Sequence, residues 1–229
     1  MKILGKSTSE HFDSFYSEIV TQIGEQKFVP SRILGRGYYQ FEEQGPEIGL
    51  RTDLSRPYFE HQVAHELVHV LQRKEGWPRG VTRHPEGSPI AELGTFLVSM
   101  VLDLNVEERL KAWSFDSSYI LKEQYRNLKK AVLDQNIPSL GSCRWRKGVM
   151  MYANASLTQP ANKWDELRKL FARRAPHIEI KGEELVSILK GNGWDTADQA
   201  LASLIAVRNS IGLLGEHLGI VDGRTGRRI

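Results

Sequence analysis

Two histidines and a glutamate at residues 65 to 69 have the spacing that hydrolytic chemistry at a metal ion requires. The segment reads His65-Glu66-Leu67-Val68-His69, which is the HExxH pattern. On an α-helix, residues i and i+4 project from one face, so the two imidazoles can share one Zn²⁺ ion. Glu66, beside the first histidine, can hold a water bound to that ion and take its proton. The pattern therefore predicts a zinc site with Glu66 as the general base.

The residues around the pattern predict the helix that it needs. Apolar side chains recur at helical spacing between Phe59 and Leu71. Ser55 and Pro57 suit the cap and the first turn of this helix, and Gly76 suits its end.

His61 lies one turn before His65 and extends the stripe of histidines. Residues 61 and 69 are about 12 Å apart along a helix, too far to share one ion with the central histidine. We therefore expect His61 to be a solvent-exposed neighbour of the site and not a ligand.

With this motif the chain resembles the zincins, the HExxH class of zinc metallopeptidases. In the gluzincin subclass, the third ligand is a Glu from a second helix, and Glu92 lies 23 residues after His69 in a segment that predicts a helix. The resemblance covers roughly residues 45 to 104. It implies that His65, His69 and Glu92 bind Zn²⁺ and leave a fourth position for water.

The loop ahead of Glu92 offers two alternative third ligands, His84 and Glu86. Many gluzincins also have an Asp four residues after the third ligand, where it hydrogen-bonds to a ligating histidine. Phe96 occupies that position here, and we expect Asp103 to lie too far along the helix to replace it.

The resemblance also implies a donor that stabilises the oxyanion of the transition state. Zincins often take this donor from the part of the chain that follows the zinc site. We favour Tyr152 as this catalytic group. The other candidates are Tyr119, Tyr125, His177 and His217.

The elements that must position these residues form an α+β fold: a small N-terminal sheet, the active-site helix and a mostly helical C-terminal half. A helix is predicted over residues 8 to 24. The predicted strands are Phe28-Val29, Ile33-Leu34, Tyr38 to Phe41 and Glu47 to Arg51. Further helices are predicted over residues 88–104, 105–113, 117–135, 143–156, 162–174, 182–191 and 195–215.

Two aspects of this organisation stay open. In zincins the edge strand of the sheet lines the substrate cleft, and Ile48 to Thr52 precede the helix in the order expected of that edge; a core hairpin is the alternative. We place a tentative domain boundary so that residues 1–158 form the metallopeptidase domain and residues 159–229 a helical subdomain.

Composition narrows the classes of function. The net charge of +3 comes from mixed signs, so we expect no nucleic-acid partner. The single Cys143 excludes an internal disulfide and fits a reducing compartment. We find no segment typical of a signal peptide or a membrane span. The sequence therefore predicts a cytoplasmic protein without a membrane partner.

The function predicted from these observations is zinc-dependent hydrolysis of peptide bonds in a peptide or protein substrate. The alternative is a zincin-fold regulatory or binding protein with little or no hydrolysis. Its helical C-terminal half would then bind a protein partner or a second copy of the chain. Hydrolysis of an amide other than a peptide is a third possibility.

Overall fold

A computed structural model describes residues 1–31, 38–42, 45–134, 138–213, 215 and 217–229. The predicted strand at Ile33-Leu34 lies outside the described residues. The fold is α+β, mostly helical with a few small sheets, as the sequence predicts.

The chain divides into two compact units. The first comprises Met1–Gly76 and Asn105–Tyr119, and the second comprises Trp77–Leu104 and Ile120–Ile229. The division differs from the boundary predicted after residue 158, because the chain passes from the first unit to the second twice. Helix α3 (Pro89–Ala112) is continuous, and the division falls within it, between Leu104 and Asn105.

The first unit contains the short strands β1 (Lys2–Ile3) and β2 (Lys6–Ser7), helix α1 (Glu10–Ile23), a three-stranded sheet and helix α2 (Arg56–Lys74). The sheet consists of β3 (Lys27–Pro30), β4 (Tyr38–Glu42) and β5 (Gly45–Leu50) in the order β3-β5-β4. Helix α2 packs against α1, β4 and β5. The apolar face of α2, including Phe59, Val63 and Leu67, lies in the core of this unit.

The position of β5 decides between the two alternatives for Ile48 to Thr52. β5 pairs in parallel with β3 and antiparallel with β4, so it is the central strand of the sheet. Its backbone groups are already used on both sides, and Ile48 cannot belong to an edge that receives an extended peptide. Among the strands that the structure describes, β3 and β4 are the outer strands of this sheet.

Helix α2 begins and ends where its flanking residues predict. Ser55 is the N-cap residue, a proline lies in the first turn, and Gly76 has a φ of 78°. A left-handed residue after the last turn is the usual end of a helix, and glycine adopts it without strain.

The second unit is helical apart from a small antiparallel sheet of β6 (Arg79–Val81) and β7 (Gly219–Val221). Its helices after α3 are α4 (Ser118–Asp134), α5 (Cys143–Thr158), α6 (Ala161–Arg174), α7 (Pro176–Asn192) and α8 (Ala197–Ser210). Three predictions of helix bounds were wrong. Pro89–Ala112 is one helix and not two. Helix α7 begins at Pro176, which suits a first helical turn, and not at residue 182, and α8 ends at Ser210 and not at residue 215.

Within the described part of the chain, α3 alone is long and apolar enough to cross a membrane. In its most apolar stretch, 56% of the residues are buried inside the protein. Burial of this kind is typical of a core helix in a water-soluble fold.

Candidate metal centre

Helix α2 places His65 and His69 one turn apart on the same face. Their rings are nearly perpendicular, with centroids 4.8 Å apart, and their Nε2 atoms lie 3.1 Å from each other. Both side chains are partly exposed. The i, i+4 spacing therefore brings the two imidazoles together, as the sequence predicts.

The other ring nitrogen of each histidine is held by an oxygen. The Nδ1 of His65 lies 3.0 Å from Oε1 of Glu107, and the Nδ1 of His69 lies 3.0 Å from Oε1 of Gln72. A carboxylate or amide oxygen can only accept, so each neutral imidazole has its proton on Nδ1. The two Nε2 lone pairs then face each other, and a cation between them removes their repulsion.

The gap between the two Nε2 atoms fits a metal ion. Two Zn–N bonds of about 2.0–2.1 Å at a tetrahedral angle hold their nitrogens about 3.3 Å apart. The observed separation is 3.1 Å. Metal-ligating histidines usually donate their second N–H to a carboxylate or a carbonyl oxygen, which is the arrangement found here.

A third group of ligand type comes from α3. The possible ligand atoms of His65, His69 and Asp103 all lie within 4.8 Å of one another. Asp103 and Glu107 are four residues apart on the same continuous helix, so they project from the same face of it. Two nitrogens and a carboxylate oxygen suit Zn²⁺, although this set does not identify the metal.

Glu92, the predicted third ligand, is in a different environment. Its side chain is exposed, and it lies eleven residues before Asp103 on α3, which is about 16 Å along the helix. Among the described residues, Asp103 and not Glu92 groups with the two histidines.

The alternative third ligands are also accounted for. His84 contacts His217 within the second unit, with 3.2 Å between the Nε2 of His84 and the Nδ1 of His217. Glu86 is exposed. Neither belongs to the group of ligand type described above.

His61 is buried, with 1% of its side chain exposed, so the expectation of solvent exposure was wrong. Its Nε2 donates to Oε2 of Glu107 at 3.2 Å, while Oε1 of the same carboxylate accepts from His65. The Nδ1 of His61 is buried, and the residues that the structure describes provide no hydrogen-bond partner for it. The bond to Glu107 therefore orients the His61 ring.

Glu107 remains ionised between these two imidazoles. Burial acts to raise the pKa of Glu107. The hydrogen bonds from His61 and His65, and the positive charge of either imidazole when it is protonated, outweigh burial and hold the pKa well below its usual range. An ionised Glu107 offers one oxygen to each ring and so fixes the orientation of His65.

Gln72 is fixed in turn by Asn105. The Nε2 of Gln72 donates to Oδ1 of Asn105 at 3.0 Å, and both residues are buried. This bond leaves the amide oxygen of Gln72 directed at His69. The orientation of each histidine therefore depends on one residue near the end of α3.

Glu66, the predicted general base, is buried with 8% of its surface exposed. It follows His65 directly on α2, which places it beside the histidine face of the helix.

Tyr152, the predicted oxyanion donor, belongs to the core of the second unit. It has no exposed surface, its ring packs edge-on against Trp164 and Phe171, and its hydroxyl donates to Glu183 at 2.6 Å. Burial and this bond raise the pKa of Tyr152 far above its usual value. A ring enclosed on all sides cannot reach a substrate, so the prediction is corrected.

The other oxyanion candidates also have contacts in the structure. Tyr125 donates its hydroxyl to Glu166, and His177 contacts the carbonyl oxygen of Pro138. In the first unit, Tyr119 stacks on Tyr58 with ring centroids 4.7 Å apart.

Sequence reasoning missed the groups that orient the histidines. Glu107 follows His65 by 42 residues, and neither it nor Asn105 belongs to the HExxH motif. One signal was present: Asp103 and Glu107 repeat on α3 the i, i+4 spacing that His65 and His69 have on α2.

Comparison of the chain with protein-family models, curated proteins and solved structures gives no match.

Proposed function

We propose that the protein is a zinc-dependent hydrolase of peptide bonds with a zincin-like site. In this proposal His65, His69 and Asp103 bind the metal, and Glu66 is the general base. The observation that carries the proposal is the pair of Nε2 atoms 3.1 Å apart, each on a ring whose Nδ1 is held by an oxygen. This geometry suits a shared cation, and three protein ligands leave a position open, as catalytic zinc sites require.

Each residue has a defined role in the proposed reaction. A bound Zn²⁺ would supply the Lewis acidity that polarises a carbonyl group and lowers the pKa of water. Glu66 takes a proton from the attacking water on its carboxylate and then delivers it to the nitrogen of the leaving amine. Glu107 and Gln72 hold the two imidazole rings so that their Nε2 lone pairs keep one direction.

A peptide substrate is favoured by β4, which packs against α2 and is an outer strand of the sheet in the described part of the chain. An extended peptide can add to such an outer strand through main-chain hydrogen bonds.

We also propose that the protein works in the cytoplasm, since its one cysteine fits a reducing compartment.

The second candidate is a metal-binding protein that recognises a partner without hydrolysis. The unusual ligand set favours it, because Asp103 takes the place of the glutamate that the gluzincin pattern requires. The buried Glu66 favours the enzyme, since binding of a metal by the other three residues does not need it.

The test combines metal content with cleavage. We expect one Zn²⁺ per chain in protein purified without chelator. We expect wild type to cleave peptides from a mixed-sequence library and Glu66→Gln to retain zinc while losing activity by about 10²–10⁴-fold. Glu92→Gln is the matched control, because it makes the same change at an exposed site and should cleave as wild type does.

Two results would overturn the proposal. If purified wild-type protein contains no metal, the proposed zinc site is wrong. Equal cleavage by wild type and Glu66→Gln would remove the mechanism, even with zinc present. Zinc binding without any cleavage would support the second candidate.

A further inference from the structure

Positive charge is concentrated in the segment that forms helices α4 to α6. Residues 118–174 contain 12 of the 31 Lys and Arg residues of the chain but only 4 of its 28 Asp and Glu residues. This segment therefore has an excess of eight positive charges, whereas the net charge of the whole chain is +3. The small net charge conceals a strongly basic part of the second unit.

Three cations form a stripe along α4. Lys122, Arg126 and Lys130 are all exposed and occupy positions i, i+4 and i+8, about 6 Å apart along the helix. None of the three forms an ion pair with a residue that the structure describes. Like charges at this spacing destabilise a helix, so the stripe opposes the stability of α4.

Helix α6 adds a second set of cations beside the first. Lys163, Lys169 and Arg173 are exposed, and in the described parts of the chain no carboxylate lies within ion-pair distance of them. The two helices are side by side, because Glu166 of α6 accepts hydrogen bonds from Tyr125 and Lys129 of α4.

A groove of about 440 Å³ runs between the two helices. Three cations and one carboxylate line it together with two leucines: Lys129, Leu133, Glu166, Lys169, Leu170 and Arg173. The cations are spread along two helices. This distribution suits a ligand whose negative charges repeat along a chain more than it suits a single small anion.

We propose that this basic surface, formed by the exposed cations of α4 and α6 and the groove between them, binds the phosphate backbone of nucleic acid. Backbone phosphates repeat along a strand, and Lys and Arg contacts to them give sequence-independent affinity. A membrane surface is less suitable, because it requires a row of apolar side chains that can enter the lipid. Leu133 is the one large, well-exposed apolar residue in the groove, whereas Leu140 and Ile180 line a different cavity.

The expectation of no nucleic-acid partner was based on the net charge of the whole chain. That average combines a basic segment with a remainder in which acidic residues outnumber basic ones. The proposal does not depend on the metal centre, and removing the metal should leave this binding unchanged.

The test measures binding of labelled single-stranded and duplex oligonucleotides by fluorescence anisotropy from about 50 to about 200 mM salt. The test variant is Lys122→Gln/Arg126→Gln/Lys130→Gln, in which glutamine removes charge but preserves helix propensity. The control is Lys2→Gln/Lys111→Gln/Lys190→Gln, which removes the same charge from exposed positions elsewhere.

We expect wild type and the control to bind with a steep dependence on salt. For the test variant, the slope of log K against log salt should be less steep by about 2–3, since each lost phosphate contact removes about 0.7–0.9. Circular dichroism checks that α4 is still folded.

A second variant, Lys169→Gln/Arg173→Gln, repeats the test on α6, with an expected change in slope of about 1.4–1.8.

Three outcomes would overturn the proposal. The first is no binding of either oligonucleotide by wild type at the lowest salt. The second is an equal decrease in oligonucleotide affinity and in salt dependence for the test variant and the control, which would mean that only the net charge of the chain matters. The third is that wild type binds vesicles containing phosphatidylserine but no oligonucleotide, and that the test variant no longer binds these vesicles.

Discussion

Each imidazole of the metal centre is oriented by a different oxygen acceptor. The carboxylate of Glu107 holds His65, and the amide of Gln72 holds His69. Neither acceptor is part of the HExxH motif, so the motif brings the two histidines together while other residues fix their protons and directions.

The proposed third ligand, Asp103, differs from Glu92, the ligand that the sequence pattern predicts. Asp103→Asn removes the charge of the carboxylate and leaves the side chain almost unchanged in shape. Loss of an outer partner of a ligand typically costs about 10–100-fold in metal affinity, so loss of a direct ligand should cost at least as much. Competition with a chromogenic chelator measures the affinity, and Glu92→Gln should bind zinc as wild type does. Normal affinity in Asp103→Asn together with weakened affinity in Glu92→Gln would restore the original assignment.

His61 should act on zinc through Glu107. Without the bond from His61, one oxygen of Glu107 is released and the carboxylate can turn away from His65. We expect His61→Leu to weaken zinc binding by about 10–100-fold. His61→Gln, whose amide N–H can still reach Oε2, should restore much of it. The spectrum of the Co²⁺-substituted protein reports the ligand geometry, which a loss of packing alone would leave unchanged. Equal affinity in wild type and His61→Leu would show that Glu107 is held by its other contacts.

Local sequence patterns predict the helices well, but they predict poorly which helices and strands contact each other. The helical period identifies α2, and the cap and stop residues place its ends, because both depend on residues within one turn. The sequence predicted two helices, 88–104 and 105–113, that meet at Asn105. In the structure Asn105 is a buried helical residue whose side chain binds Gln72, a partner 33 residues away.

Long-range pairing accounts for the other differences. An edge position of β5 was one of two alternatives because β5 precedes α2, but its order in the sheet depends on β3 and β4. Asn105 and Glu107, which hold Gln72 and His65, belong to α3 only because this helix continues past residue 104. No pattern within a short window contains this information, and the candidate site could therefore be predicted only for the HExxH residues.

The close contact of α5 and α7 gives a prediction about stability. A methyl group added at Gly182 would lie 2.2 Å from Cδ1 of Tyr152, whereas one added at Gly191, on the same helix, meets nothing within 4 Å. Gly182→Ala should therefore lower the free energy of unfolding by about 1–3 kcal/mol through overpacking. Gly191→Ala should be neutral or raise it by up to about 1 kcal/mol, because alanine favours the helix. Urea denaturation of both variants measures the difference, and equal stabilities would show that the two helices can separate at little cost.

The buried apolar residues that the structure describes form two separate cores, one in each unit. The proposed ligands His65 and His69 belong to the first unit, whereas Asp103 and the basic surface of α4 and α6 belong to the second. The proposed metal site and the proposed nucleic-acid site share no residue, so each can be tested while the other ligand is absent.

Zinc should stabilise the folded protein, because the ligands come from two helices that are brought together only by folding. At a free zinc concentration of about 100 times Kd, the free energy of unfolding should rise by about 2.7 kcal/mol. Thermal unfolding with increasing Zn²⁺ measures the effect, and a chelator should reverse it. The double variant His65→Ala/His69→Ala should unfold at the same temperature with and without zinc. If zinc stabilises the double variant as much as it stabilises wild type, zinc binds elsewhere on the chain and not at the residues proposed on α2 and α3.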